Sequence, residues 1–228
     1  MDELSWREGA QSMITAIIPH FHEQRLSNLL RIASSLLTQN VKTVIWNNDK
    51  PLPIHVQDHL DLLNVTVVQS DTNIGCHGRF AAVPHVPSNT THILFHDNDL
   101  VSISKNSVGR MMDQFTAQPK CIVSAIGEHR IYEHRQVPVS FGKFELIPKP
   151  IVEQLLASWS PSPDSLHDDL WLSVRAAKLG IPIRFIRLQW KNLDDDLAFW
   201  RSMPWSQWRR ERERVFRMLM EKQQHETN

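Results

Sequence analysis

Cysteine is scarce. Cys76 and Cys121 are the two in 228 residues, too few for a disulfide framework, so a reducing compartment is expected. Charge of one sign is lacking as well: 25 Lys and Arg balance 25 Asp and Glu, and no global field draws the molecule to nucleic acid or an anionic membrane. No apolar run approaches the ~20 residues that span a bilayer. The start, Met1-Asp-Glu-Leu-Ser-Trp-Arg-Glu-Gly9, has neither the basic region nor the apolar core of a secretion signal. A cytoplasmic protein without a transmembrane segment is the expectation. Two nucleotide fingerprints are also missing: Gly-x-Gly-x-x-Gly after the first apolar run, and Gly-x-x-x-x-Gly-Lys-Ser/Thr anywhere. What remains is ordinary for a globular chain, 41% apolar and 22% charged, and the length suits one α/β domain.

Short apolar runs alternate with helical periodicity. Met13-Ile-Thr-Ala-Ile-Ile-Pro19 reads as a buried strand stopped by Pro19, with His20–Arg25 as the loop leaving its carboxyl end. Leu26, Leu29, Leu30, Ala33, Leu36 and Leu37 recur at helical spacing and predict a helix to about Gln39. Val41–Trp46 predicts a second strand, then come the turn-rich Asn47–Pro53, a short helix around His55–Leu63 and a third strand, Val65–Gln69. The glycines of Asp71–Phe80 suggest a loop feeding a helix, and Ile93-Leu-Phe95 a fourth strand. Beyond it, spacing predicts a helix over Lys105–Gln118 capped by Ser104, a strand Cys121–Ile126 and a loop Gly127–Tyr132. A strand within Val137–Ile147, interrupted at Gly142, and an irregular loop Ser158–Asp164 follow. Last come a helix over 166–179 closed by Gly180, a strand Ile181–Leu188 and an amphipathic helix Trp205–Glu221. Alternation of this kind is the signature of a doubly wound, mostly parallel α/β sheet.

In such sheets ligands bind beyond the carboxyl ends of the strands. That rule aligns the loops starting at Pro19, Asn47, Asp71 and Asp97 on one crevice. Their polar residues are His20, Arg25, Asn47, Asn48, Asp49, Asn73, Arg79, Asp97 and Asp99. Amides and an aspartate suit the edges of a base and ribose, while Arg79 and a metal suit a diphosphate. The organising stretch is His92-Ile-Leu-Phe-His-Asp-Asn-Asp-Leu100. On a regular strand Asp97 and Asp99 point the same way and Asn98 the opposite way. Two carboxylates ending a buried strand are costly unless neutralised. Mg²⁺ or Mn²⁺ does so, and is often shared between carboxylates and substrate phosphates. The bland alternative is a solvated turn.

These motifs resemble GT-A glycosyltransferases. Pro19-His-Phe-His-Glu23, Trp46-Asn-Asn-Asp49, Asn73-Ile-Gly-x-x-Gly-Arg79-Phe80 and His96-Asp-Asn-Asp99 carry the likeness. The second and third are similar to the exostosin type (GT64). The opening strand, and Asp168-Asp-Leu-Trp-Leu-Ser-Val-Arg175 with Gly180 beyond it, are more like GT2. The resemblance implies the GT-A, Rossmann-like fold in a single domain over 1–228, with a nucleotide-binding half at about 13–118, an acceptor half at 119–188 and a C-terminal helical extension at 189–228. It implies that Pro19, His20, Asn47, Asn48 and Asp49 hold nucleobase and ribose, that Asn73 and Arg79 line the nucleotide, that Asp97 sits near the ribose and that Asp99 binds the metal with Asp97 beside it. Asp168-Asp169 falls where the family has Glu-Asp opening a late helix. The acceptor base of inverting members then lies in this pair, with Asp169 preferred and Asp in place of the usual Glu before it. The implied activity is transfer of a hexose from a nucleotide sugar, a UDP-sugar in first place, to an acceptor hydroxyl with Mn²⁺ or Mg²⁺. Glycan, lipid-linked sugar, protein and modified nucleic acid are the open acceptors.

Histidine offers no zinc pattern. His92 and His96 on a strand stand about 13 Å apart and face away from Asp97 and Asp99, and His55 and His59 lack accompanying ligands. His20 and His22 could touch a donor, and His129 could supply a nitrogen to the ion. Trp190, Trp200, Trp205 and Trp208, followed by Arg209-Arg-Glu-Arg-Glu-Arg214, are read as packing residues beside a charge-paired face. Stacking on sugars or bases is their other use. Asp194-Asp-Asp196 suits a helix start. Two other readings stay open: a nucleotidyltransferase acting on a sugar phosphate, though its usual Gly-rich basic loop is missing after the first strand, and a non-catalytic nucleotide-sugar-binding module.

Overall fold

The computed structural model describes residues 13–21, 23–48, 50–160, 167–193 and 203–222. His22, Asp49, Trp200, Asp194–Asp196 and the second half of the Ser158–Asp164 loop lie outside the described residues.

The first half winds as its periodicity predicts. β1 (Ile14–His20) is followed by α1 (Leu26–Leu37), β2 (Lys42–Asn47), α2 (Ile54–Leu62) and β3 (Thr66–Gln69). A single helical turn and α3 (Gly78–Ala81) lead to β4 (His92–His96). β5 (Leu100–Ser102), α4 (Ser107–Ala117), β6 (Ile122–Ser124), β7 (Gly127–Tyr132), β8 (Arg135–Ser140) and β9 (Phe144–Pro148) come next. The remainder is α5 (Lys149–Leu156), α6 (Asp168–Lys178), β10 (Ile183–Phe185), β11 (Trp190–Asn192) and α7 (Trp205–Lys222).

Seven strands form the central sheet in the order β10-β6-β9-β4-β1-β2-β3. All neighbours pair in parallel except those of β9, which runs antiparallel to both β4 and β6. This is a mostly parallel α/β sheet, as expected, with one reversed strand. Alternation on β1 divides the core: Ala16 and Ile18 pack with Leu29, Ile32 and Met111 on the α1/α4 face, while Ile17 packs with Phe80, Phe95 and Leu172 on the other. Apolar packing on both faces accounts for the continuous apolar runs.

Two segments depart from expectation. Gly127–Tyr132 is not a loop but one arm of the β7–β8 hairpin, and α5 follows β9 without having been foreseen. The run Val137–Ile147 is two strands broken at Gly142, whose φ of +66° reverses the chain. A third, smaller core joins hairpin, α6 and α7 through Val137, Val139, Leu170, Val174 and Phe216. Lys178 near the end of α6 donates to the carbonyls of Leu219 (2.7 Å) and Met220 (2.9 Å), satisfying acceptors in the last turn of α7. No helix among the described residues is long and apolar enough to cross a membrane.

Candidate active site

β1 continues to β2 on one side and is flanked by β4 on the other, so the strand order reverses at the β1/β4 seam. Crevices open at such a point. Here a cavity of about 1140 Å³ runs from the carboxyl ends of β1 and β4 to α6, the β7–β8 hairpin and α7. Ligand pockets usually hold ~300–1,000 Å³, so the space exceeds that of one small ligand. Pro19, Arg25, Asn73, Arg79, Asp97, Asp99, Asp168 and Asp169 all line it, which brings together eight of the expected site residues.

Arg79 is the centre of its polar wall. Its guanidinium is 2% exposed, lies 2.5 Å from Asp97 Oδ1 and 2.7 Å from Asp168 Oδ2, and donates to the carbonyl of Gly142. Burial works against its charge, and Asp168 and Asp97 more than reverse that. Gly142 is needed here twice over. Its φ is positive, and a Cβ would stand 2.7 Å from Arg79 Nη1. Gly78 is constrained by a different neighbour, since a Cβ there would fall 2.2 Å from Trp46 Cδ1.

The Asp97-Asn98-Asp99 segment is a turn between β4 and β5 rather than a continued strand. Asp97 and Asp99 share the cavity, and Asn98 reaches it too instead of pointing away. Arg25 donates to Asn98 Oδ1 at 2.8 Å, and Asn98 Nδ2 lies 3.2 Å from His20 Nδ1. Lys143 stands 3.0 Å from Asp99 Oδ2. The other oxygen, Oδ1, is buried with no hydrogen-bond partner. Burial, then the charge of Asp97, push the Asp99 carboxyl up, and Lys143 offsets part of this.

A divalent cation fits this donor set. It consists of hard oxygens, with one orphaned acceptor that an ion would satisfy. Among the described residues no group of three or more His, Cys, Asp or Glu side chains could hold an ion, so the remaining ligands would be phosphate and water oxygens. Arg79 and Lys143 already counter the two carboxylates, and an ion would share them with these cations.

The acidic pair divides its labour. Asp168 and Asp169 open α6, where carboxylates are favoured, and each turns to a different arginine. Burial, then Asp169, push Asp168 up against the pull of Arg79. Asp169 receives two bonds from Arg212 of α7, at 3.1 and 2.6 Å. Burial raises its pKa, but Arg212 outweighs this and holds the carboxyl below the usual range. Of the pair, Asp169 is thus the member whose charged form its surroundings favour.

His20, Asn47 and Asn48 lie apart from this cavity, beside a second one of about 400 Å³ lined also by Glu23, Lys50 and Leu52. Their amides are engaged by the scaffold. Asn47 Nδ2 donates to Lys50 O and Gln69 Oε1, both at 2.7 Å. Asn48 Oδ1 accepts from Ile74 N and Trp46 Nε1, and its Nδ2 donates to Gly75 O, pinning the loop that carries Asn73. His92 and His96 are buried against Phe115 and Phe144, with pKa values lowered to about 4 by burial. Neither lines the cavity, whereas His129 does. Lys143 and Arg212 are cavity residues to which the sequence attached no site role, and Trp205, read chiefly as a packing residue, lines the cavity as well.

Neither a family model nor a curated protein matches the chain. Solved structures do. A mannosyltransferase, PcManGT from Pyrobaculum calidifontis in complex with GDP-Man and Mn²⁺, superposes with TM-score 0.57 at 14% identity, over 78% of this chain and 56% of that one. S. aureus TarS gives 0.59 at 12% identity, over 83% and 38%. The fold is GT-A. The chain thus spans little more than half the length of the first and under two fifths of the second. A 4-diphosphocytidyl-2C-methyl-D-erythritol synthase from Anaerococcus prevotii is also similar, with TM-score 0.52 at 13% identity over 78% and 88%. The neighbours thus include both a mannosyltransferase and a diphosphocytidyl-methylerythritol synthase, and the fold alone does not choose an activity.

Proposed function

We propose that the protein is a metal-dependent GT-A glycosyltransferase that moves a hexose from a nucleoside-diphosphate sugar, a UDP-sugar in first place, to an acceptor hydroxyl. The observation that carries the reading is the convergence of Asp97, Asp99, Arg79 and the Asp168-Asp169 pair on one cavity large enough for two substrates. On this reading residues 13–118 supply the donor side and 119–188 the acceptor side, with α7 completing the wall. Pro19, Arg25 and Asn73 line the nucleotide. The smaller cavity beside His20, Asn47 and Asn48 is a place for the nucleobase.

Asp99, with Asp97 beside it, would hold Mn²⁺ or Mg²⁺, which as a Lewis acid would neutralise charge on a leaving diphosphate. Arg79 supplies a fixed cation on the same wall, oriented by Asp97 and Asp168, so it needs no reorganisation when negative charge develops. Asp169, its charged form favoured by Arg212, lines the cavity next to Asp168. If the reaction inverts, it takes the acceptor proton, and if it retains configuration, it orients the acceptor. A general base contributes ~10²–10⁴-fold. The nucleotidyltransferase reading lacks its Gly-rich, basic loop after β1. A non-catalytic module would bind donor and release nothing.

The test separates binding from transfer. Asp169→Asn is expected to keep nucleotide-sugar affinity within a few-fold and to lose transfer by ~10²-fold or more. Calorimetry and release of nucleoside diphosphate measure the two. Undiminished transfer in Asp169→Asn would remove Asp169 from the reaction.

A further inference from the structure

Charge is unevenly spread over the cavity. At the seam, Asp97 and Asp168 share Arg79 and Asp99 pairs with Lys143, three carboxylates against two cations. On the far wall α7 and the hairpin present Arg130, Arg209, Arg210 and Arg217 against Glu128 and Glu213. Arg130 pairs with Glu128 (2.7 Å) and with Glu213 (3.2 Å), and Glu213 is shared with Arg217 at 2.7 Å. Both acids are therefore engaged. Arg209 and Arg210 are exposed, line the cavity and make no ion pair among the described residues. Trp205, one turn earlier on the same helix, is 58% exposed and lines the same wall.

Two adjacent guanidiniums left unmatched inside a cavity are a recognition element for phosphate oxygens, which they can meet in a fork geometry. An exposed indole beside them offers a flat apolar face of the kind that stacks on a sugar ring. We propose that Arg209, Arg210 and Trp205 form an acceptor subsite for a phosphate-bearing glycan. The subsite deepens the transferase reading and rests on it. Size selects among anionic partners: two cations without an ion pair among the described residues meet one or two phosphates, not the extended track of a nucleic acid. With zero formal net charge, the molecule has no field that would hold it at an anionic bilayer.

The probes are a pentamannose bearing one 6-phosphate and the same oligosaccharide after phosphatase treatment, titrated by tryptophan fluorescence with saturating UDP present. The phosphorylated form is expected to bind at least tenfold more tightly, and the preference is expected to fall with added salt and to vanish in the Arg209→Gln/Arg210→Gln double variant. Circular dichroism checks that the variant is folded, and a separate UDP titration, expected to be unchanged, reads the donor side. Equal or absent binding of the two oligosaccharides, or an unaltered preference in the double variant, overturns the subsite. So does association with vesicles containing 20% phosphatidylglycerol in place of the soluble probe. Loss of UDP binding by the wild-type protein would instead strike the transferase reading, so the two failures are distinguishable.

Discussion

At Arg79 one guanidinium joins carboxylates that stand 18 and 89 positions away in the chain. It comes from α3, Asp97 from the turn after β4 and Asp168 from the start of α6, so the ion pairs tie both halves of the sheet to the cavity wall. Removing one partner of a buried pair leaves uncompensated charge, which typically costs ~3–5 kcal/mol. Arg79→Met is therefore expected to lower unfolding free energy by about that amount in urea titrations, and Arg79→Lys, lacking the fork, to restore little of it. Glu145 makes a pH-dependent contribution. It is fully buried on β9, and burial pushes its carboxyl up from 4.5 to about 7. Between those two pH values the folded chain keeps a proton that the unfolded chain has lost, so stability falls as pH rises from about 4.5 to about 7. At ~1.4 kcal/mol per pKa unit the loss is on the order of 3 kcal/mol. Glu145→Gln should flatten that slope, and an unchanged slope in the variant would assign it to other groups. At this scale the sequence singled out Arg79, Asp97, Asp99, Asp168 and Asp169, which the fold gathers on one cavity, because charge at the ends of buried strands and helices is costly and so stands out. Asn47 and Asn48 show the limit. An amide reads identically whether it meets a ligand or pins a loop; here both residues bond the scaffold and also border the smaller cavity.

Among the elements, α7 most changes the character of the cavity. Its anchor is Phe216, fully buried against the hairpin and α6, with the Arg130 guanidinium 5.5 Å above its ring. Trp208 packs near His167, and Arg212 reaches across to Asp169. Truncating a buried Phe costs ~3–5 kcal/mol. Phe216→Ala should therefore release α7 from the body while the sheet stays folded. Hydrogen exchange is expected to show lost protection over Trp205–Lys222 and retained protection in β1 and β4; simultaneous loss in all three would mean that α7 is an inseparable part of the core. Of the tryptophans, Trp208 packs as read from the sequence, whereas Trp205 is 58% exposed on the cavity wall. The periodic elements β1, β2, β4, α1, α4 and α6 were legible because each buries one stripe or both faces. The β7–β8 hairpin was not. Gly127–Tyr132 alternates exposed and half-buried residues without a buried face, leaving no apolar rhythm to read. Helix α5 begins Lys149-Pro150 right after a strand that ends in Pro148, and proline there signals a loop as readily as a first helical turn.

For the whole molecule, a single reversed strand, β9, carries much of the geometry that the linear pattern hides. It lies between β4 and β6, and its entry at Gly142-Lys143 brings a carbonyl to Arg79 and an ammonium to Asp99. Strand polarity has no local signature in an apolar run, which is why the mostly parallel sheet could be anticipated and this insertion could not. The cavity then assembles from both parts of the sheet and α7, with carboxylates in excess at the seam and, opposite, arginines that make no ion pair among the described residues. The most direct test of a metal-dependent sugar transferase is release of nucleoside diphosphate from a panel of nucleotide sugars, with and without Mn²⁺, by the wild type and by Asp99→Ala. The account predicts Mn²⁺-dependent release from at least one sugar nucleotide by the wild type and none above background by Asp99→Ala. Full, metal-stimulated release by Asp99→Ala, or no release from any donor by the folded wild type, would contradict it.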